Sequence, residues 1–130
     1  MPSPVEFSKA LADPIRWRII RLVMLEPLCV CELADILEMP QSSVSSHVQI
    51  IRKADLLESE KVEKWTYFRI RSNHLKLIRS IAALSTEDEI PHPGDTGRMD
   101  ARLSRRQGSC CPGPVHLKGR RPNQPSTESR

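Results

Sequence analysis

The large apolar side chains thin out after Leu84, and that limit sets how much of the 130-residue chain can close around a core. All five glycines lie beyond residue 93 and six of the eleven prolines lie beyond residue 90, whereas residues 1–84 are dense in Leu, Ile and Val. A segment with so little apolar surface to bury does not offset its ordering entropy. Residues 85–130 are therefore expected to be a Pro/Gly/Arg-rich, mostly disordered tail, and residues 1–84 one domain. No internal repeat is present. Between Arg98 and Arg121 the tail carries seven basic residues against one acidic residue, Asp100. That excess is either a solvated stretch or a source of non-specific attraction to phosphate.

Within residues 1–84 the periodicity is helical before it is anything else. A short helix is predicted over Glu6 to Leu11, stopped by Asp13-Pro14, which supply an N-cap and an N1 proline for the next helix. In that second helix Ile15, Ile19, Leu22 and Val23 follow one buried stripe, with Arg16, Arg18 and Arg21 off it. Pro27 ends it. Cys29 to Leu37 reads as a third short helix with Val30, Leu33, Ala34 and Leu37 inward, followed by a turn at Glu38-Met39-Pro40.

From Gln41 the chain presents Val44, Val48 and Ile51 on one face and small polar side chains on the other. Two short helices joined by a tight turn, the second with an apolar back and a hydroxyl-rich front, form a helix-turn-helix. Leu57 to Val62 and Trp65 to Arg71 are strand-like and flank Glu63-Lys64, which predicts a β-hairpin. Asn73 is placed to cap a last helix to about Leu84. Its Leu75, Leu77, Ile78, Ile81, Ala82 and Leu84 offer more apolar surface than one small domain uses, which points to a dimer interface. The expected fold is mainly α with a small β-hairpin.

A helix that enters the major groove needs side chains short enough for close approach and able to hydrogen-bond bases and phosphates. Gln41, Ser42, Ser43, Ser45, Ser46 and His47 meet that need. Gln41 is best placed to read a base, since a carboxamide pairs bidentately with adenine, while Ser42 and Ser45 suit phosphates. Arg52 and Lys53 at the helix end, and Lys61 and Lys64 on the hairpin, sit where phosphate and minor-groove contacts are useful. Taken alone, a serine-rich front is equally a solvated face, and His47 fits helix packing or a phosphate. The net charge of +4 and a pI near 9.1 agree with a polyanionic partner.

No segment approaches the ~18 apolar residues of a membrane span, and the first residues lack a basic start and an apolar run, so the chain is expected to be soluble and cytoplasmic. In that compartment four cysteines are metal ligands or redox groups before they are disulfides. Cys29 and Cys31 stand at a helix start, where thiolate character is favoured, although Glu26 and Glu32 oppose it. Residues two apart point to nearly opposite sides of a regular helix, so one ion holds both only if the first turn is distorted. Such a distortion would tilt the following helix and link capture to DNA release. Cys110 and Cys111 are adjacent in the tail, able to chelate a soft ion or to do nothing.

The runs Ala10-Leu11-Ala12-Asp13-Pro14-Ile15-Arg16-Trp17-Arg18-Ile19-Ile20, Leu28-Cys29-Val30-Cys31-Glu32-Leu33 and Gln41-Ser42-Ser43-Val44-Ser45-Ser46-His47-Val48 resemble the arsenic-sensing branch of the ArsR/SmtB family of winged-helix repressors. The resemblance covers roughly Phe7 to Leu84. It implies a winged helix-turn-helix homodimer that represses an arsenic-resistance operon and leaves operator DNA when trivalent arsenic or antimony binds. The best-known arsenic pattern has a third cysteine three residues after the second, and Ala34 stands there. A three-sulfur site must then recruit Cys110 or Cys111, or an outside ligand completes a two-sulfur site. The family's zinc sites use His and carboxylate pairs on the last helix, where this chain has only His74, with Glu87, Asp88 and His92 beyond.

Competing expectations are the same fold sensing cadmium, lead, zinc, an organoarsenical or an oxidant, a thiol-based metal buffer, and an oxidoreductase. The last lacks a Cys-x-x-Cys, a βαβ pattern and a phosphate loop, and the buffer leaves the serine-rich helix and basic hairpin without a use.

Overall fold

The computed structural model describes residues 3–84, 94–106 and 111–117. Helix α1 (Pro4–Leu11) opens on Ser3, whose Oγ accepts the Glu6 N–H at 3.1 Å. Helix α2 (Pro14–Leu25) opens on Asp13, whose carboxylate accepts the Ile15 and Arg16 N–H groups at 2.8 and 3.3 Å. Partial burial disfavours the Asp13 charge, but these two donors prevail and hold the carboxyl below its ordinary range. Pro14 at N1 has no N–H to leave unpaired, so the helix begins where the sequence predicts.

Strand β1 (Leu28–Cys29) follows Pro27 and leads directly into α3 (Val30–Leu37). The αL residue Glu38 closes α3 with φ 58°, and after Met39-Pro40 the chain enters α4 (Gln41–Lys53). Val44, Val48 and Ile51 on α4 meet Leu33, Ile36 and Leu37 of α3 and Ile19, Ile20 and Leu22 of α2 in one core. These three helices are the helix-turn-helix and its support.

Strands β2 (Leu57–Val62) and β3 (Trp65–Ile70) pair antiparallel from Leu57↔Ile70 to Val62↔Trp65, with Glu63 at φ 59° in the two-residue turn. β1 joins the other edge of β3 through Leu28↔Phe68 and Cys29↔Tyr67, so the sheet order is β1-β3-β2. The hairpin is the wing. Helix α5 (Ser72–Ala82) has Arg71 as its N-cap, two residues before the cap expected at Asn73. It buries Ile78, while Leu77 stays 48% exposed and the following Leu84 83% exposed.

The expectation of a flexible tail from residue 85 does not hold for the described part of that segment. Residues Asp95–Ser104 form α6, which packs along α3. The apolar contribution is small, Met99 and Leu103, as the composition implies. Ionic and hydrogen-bonded contacts supply the rest. Arg18 makes two hydrogen bonds to the Asp95 carboxylate at 2.9 and 3.1 Å, Arg98 joins the same carboxylate, and Arg102 pairs with Asp35 at 2.7 Å. Three of the arginines read as a solvated or phosphate-seeking run, Arg98, Arg102 and Arg106, are thus turned inward onto α3 and the segment before β1.

Candidate metal centre and nucleic-acid interface

Cys29 ends β1 and serves as N-cap of α3, with extended backbone at φ −96° and ψ 172°. Cys29 is therefore not the first residue of a helix, as the sequence reading had it. Because it lies outside the helix, the opposition of positions two apart does not arise, and Cys29 and Cys31 turn their sulfurs to the same side without unwinding a turn. Pairing of Cys29 with Tyr67 on β3 fixes that extended geometry.

Glu32, at N3 of α3, reaches back so that its Oε1 accepts the Cys29 N–H at 3.2 Å. This carboxylate is fully buried. Its counter-charge is Arg106, which donates from Nε to Oε2 at 2.7 Å and from Nη2 to Oε1 at 2.9 Å.

The third sulfur comes from the far end of the same chain. Cys111, fully buried, places Sγ 3.7 Å from Cys29 Sγ and 3.5 Å from Cys31 Sγ. All three ligand atoms lie within 4.8 Å of one another, and no histidine or carboxylate joins them among the described residues. The separations are far beyond a disulfide bond of about 2.05 Å, and no disulfide joins the three cysteines. They suit sulfurs around one soft ion, since bonds of ~2.3 Å in a tetrahedral set put sulfurs ~3.8 Å apart. Cys110 lies outside the described residues.

Arg102 Nη2 donates to Cys111 Sγ at 3.4 Å, and the Gly113 N–H donates to the Tyr67 hydroxyl at 2.7 Å. Burial, above all, pushes the Tyr67 phenol up to about 12, so it stays a neutral hydroxyl that accepts from Gly113. Burial is also the main cause that drives the Cys29 thiol upward; the Glu32 backbone N–H opposes it, and the negative charge of Glu32, Cys31 and Cys111 adds to it. Downstream, the N–H groups of Val115, His116 and Leu117 converge on the Glu60 carboxylate at 2.9–3.2 Å, which fastens the segment to β2 of the wing.

On α4 the side chains of Gln41, Ser42, Ser46, Arg52 and Lys53 are exposed, Ser43, Ser45 and His47 are half-buried, and Lys61 and Lys64 stand exposed on the wing. His47 Nδ1 lies 3.2 Å from Arg16 Nη1, and Arg16 also donates to the Lys9 carbonyl, so His47 faces the α1–α2 junction. Arg52 covers the Phe68 ring at 5.7 Å and Lys64 the Trp65 ring at 5.1 Å. An open groove of about 390 Å³ is lined by Cys29 and Cys31 together with Gln41, Gln49, Arg52 and Lys64. Two of the thiols and the polar face of α4 thus border the same groove.

Sequence reasoning missed Glu32, Arg102, Arg106 and Tyr67 as parts of the site. Two signals were available. A glutamate three residues after a helix cap reaches back to the cap N–H, and Arg98, Arg102 and Arg106 recur at the four-residue spacing of one helix face.

A helix-turn-helix followed by an antiparallel hairpin defines a winged helix-turn-helix protein. The sequence matches the family model described as "Bacterial regulatory protein, arsR family" over residues 13–59. It is 36% identical over 78 residues to a "Transcriptional repressor SmtB homolog" of Synechocystis, a match covering 59% of each chain. It is 35% identical over 73 residues to an "Arsenical resistance operon repressor" of Bacillus subtilis, covering 55% of this chain and 70% of that one. The crystal structure of NolR from Sinorhizobium fredii superimposes with a TM-score of 0.56 at 23% identity, covering 62% of this chain and 81% of that chain, a likeness of fold. The chain belongs to the arsR family of transcriptional regulators. Its match spans less than two thirds of the Synechocystis relative's length.

Proposed function

We propose that this protein is a metalloid-responsive transcriptional repressor, a cytoplasmic homodimer that binds operator DNA and releases it when trivalent arsenic or antimony is held by Cys29, Cys31 and Cys111. The observation that carries the reading is the convergence of three cysteine sulfurs, with no histidine or carboxylate joining them among the described residues. A trivalent ion that forms three bonds to thiolates matches that donor set, whereas zinc in structural sites takes four ligands. The arsenical-resistance name of the Bacillus subtilis relative agrees with it.

Gln41, Ser42, Ser43, Ser45 and Ser46 would enter the major groove, with Arg52, Lys53, Lys61 and Lys64 on phosphates or the minor groove. His47, against Arg16, acts through helix packing. Exposed Leu77 and Leu84, with Val5 on α1, supply apolar surface for a second copy. Because α3 carries Cys31, follows Cys29 and packs on α4, a shift of its first turn on capture reaches the DNA-facing helix.

The test is equilibrium titration of the DNA-free protein with arsenite, antimonite, cadmium and zinc, followed through ion-to-thiolate absorption. One arsenite per chain, with three thiols protected from alkylation, supports the reading. Tight tetrathiolate binding of cadmium or zinc with no arsenite complex would replace it with a divalent-ion sensor.

A further inference from the structure

Nothing local brings Cys111 to the other two sulfurs, which are 82 and 80 residues away in sequence. The nearest described anchor on its N-terminal side is Arg106. Its guanidinium donates twice to Glu32, once more to the Pro27 carbonyl at 2.7 Å, lies 3.5 Å from the Glu26 carboxylate, and stacks 5.5 Å over the Tyr67 ring. Glu32 in turn holds the Cys29 N–H. One buried carboxylate therefore touches both the backbone of one sulfur residue and a side chain just beyond the helix that leads to another.

Burying such a pair is a poor way to gain stability, because desolvation of two charges consumes most of their attraction and an apolar pair of similar volume does as well. What the pair provides that an apolar contact does not is direction. A two-pronged hydrogen bond between a planar fork and a carboxylate fixes distance and angle together. Arg102, bonded to both Asp35 and Cys111 Sγ, extends the same alignment to the sulfur.

Building on the proposed function, we infer that Arg106 and Glu32 are the positioning pair that makes this a three-sulfur site, and so set its preference for ions that require three thiolates over ligands satisfied by two. Arg106 and Glu32 touch no ion themselves. They keep the Cys111 segment docked against the start of α3 before capture, so the third bond forms without first ordering a chain segment.

The experiment is arsenic X-ray absorption on the full chain loaded with arsenite, for the native protein, Arg106→Met, Arg106→Lys and the charge-balanced double variant Arg106→Met/Glu32→Gln. Phenylarsine oxide, which offers two bonds to thiolates, is titrated in parallel. The native protein should show three sulfurs. Arg106→Met and the double variant should show two sulfurs and one oxygen, with arsenite affinity down at least tenfold and phenylarsine oxide affinity within twofold of native. Arg106→Lys should recover part of the loss. Three sulfurs in the double variant, with native arsenite affinity, would overturn the inference while leaving the three-thiol reading intact. Equal losses for both arsenicals would also overturn it, since the pair would then be supporting the fold at large. Fewer than three sulfurs in the native protein would contradict the proposed function itself.

Discussion

Cys31 Sγ and Cys111 Sγ lie 3.5 Å apart although 80 residues separate them in sequence. The contact joins the first turn of the helix-turn-helix to the segment beyond α6, so the site is completed within one chain. Replacing the buried Cys111 thiol with a slightly smaller hydroxyl changes the volume little and removes the soft donor. Cys111→Ser is expected to lower arsenite affinity at least tenfold while DNA affinity without arsenite stays within twofold, measured by isothermal titration and fluorescence anisotropy.

Gln41 and Lys64 are expected to fail differently. Gln41→Ala should cost about 1–3 kcal/mol on the operator and relax sequence preference at one base pair. Lys64→Ala should weaken binding on all sequences alike and reduce the salt slope by about one. Anisotropy at several salt concentrations, on operator and scrambled duplexes, separates the two.

Asp13 caps α2 through two backbone N–H groups. Asp13→Ala should destabilise the fold by about 1 kcal/mol in urea unfolding, with Asp13→Asn recovering much of it. The depressed carboxyl adds a pH signature. Its stabilisation is fully present above the ordinary carboxylate pKa and fades as pH falls through the lower folded value. The gap between native and Asp13→Ala should therefore close on acidification.

Glu60 holds the 115–117 backbone to the wing, and the Leu117 N–H is the largest cause that keeps its carboxyl below the ordinary value, ahead of the smaller opposing effect of desolvation. The clasp should persist above pH 4.5 and loosen only as pH falls through the lower folded pKa. Nuclear magnetic resonance should show the Val115, His116 and Leu117 amides shifting together in that window. In Glu60→Ala they should lose protection from exchange at every pH, with little change in melting temperature.

The helix-turn-helix and wing were legible because α2, α4 and the hairpin each carry one uninterrupted pattern: Ile19, Leu22 and Val23 on one stripe, Val44, Val48 and Ile51 on another, and Glu63-Lys64 between two β-rich runs. The first cysteine pair was legible from its residue types, but its geometry was not. Whether Cys29 lies inside α3 or before it depends on pairing with Tyr67, a contact across 38 residues of chain that no local pattern encodes. The order of α6 was missed for a related reason. Its sequence lacks apolar surface, and its arginines look solvated until their partners, 67 and 74 residues away, are brought alongside.

The central claim is that capture by three thiols of one chain releases DNA. It is tested most directly by operator affinity in fluorescence anisotropy at fixed salt, with and without saturating arsenite, for the native protein and for Cys29→Ser and Cys111→Ser. The account predicts a native affinity loss of tenfold or more, a coupling of at least ~1.4 kcal/mol, and a much smaller loss in each variant. Native affinity that arsenite leaves unchanged, or an undiminished response in both variants, would contradict it.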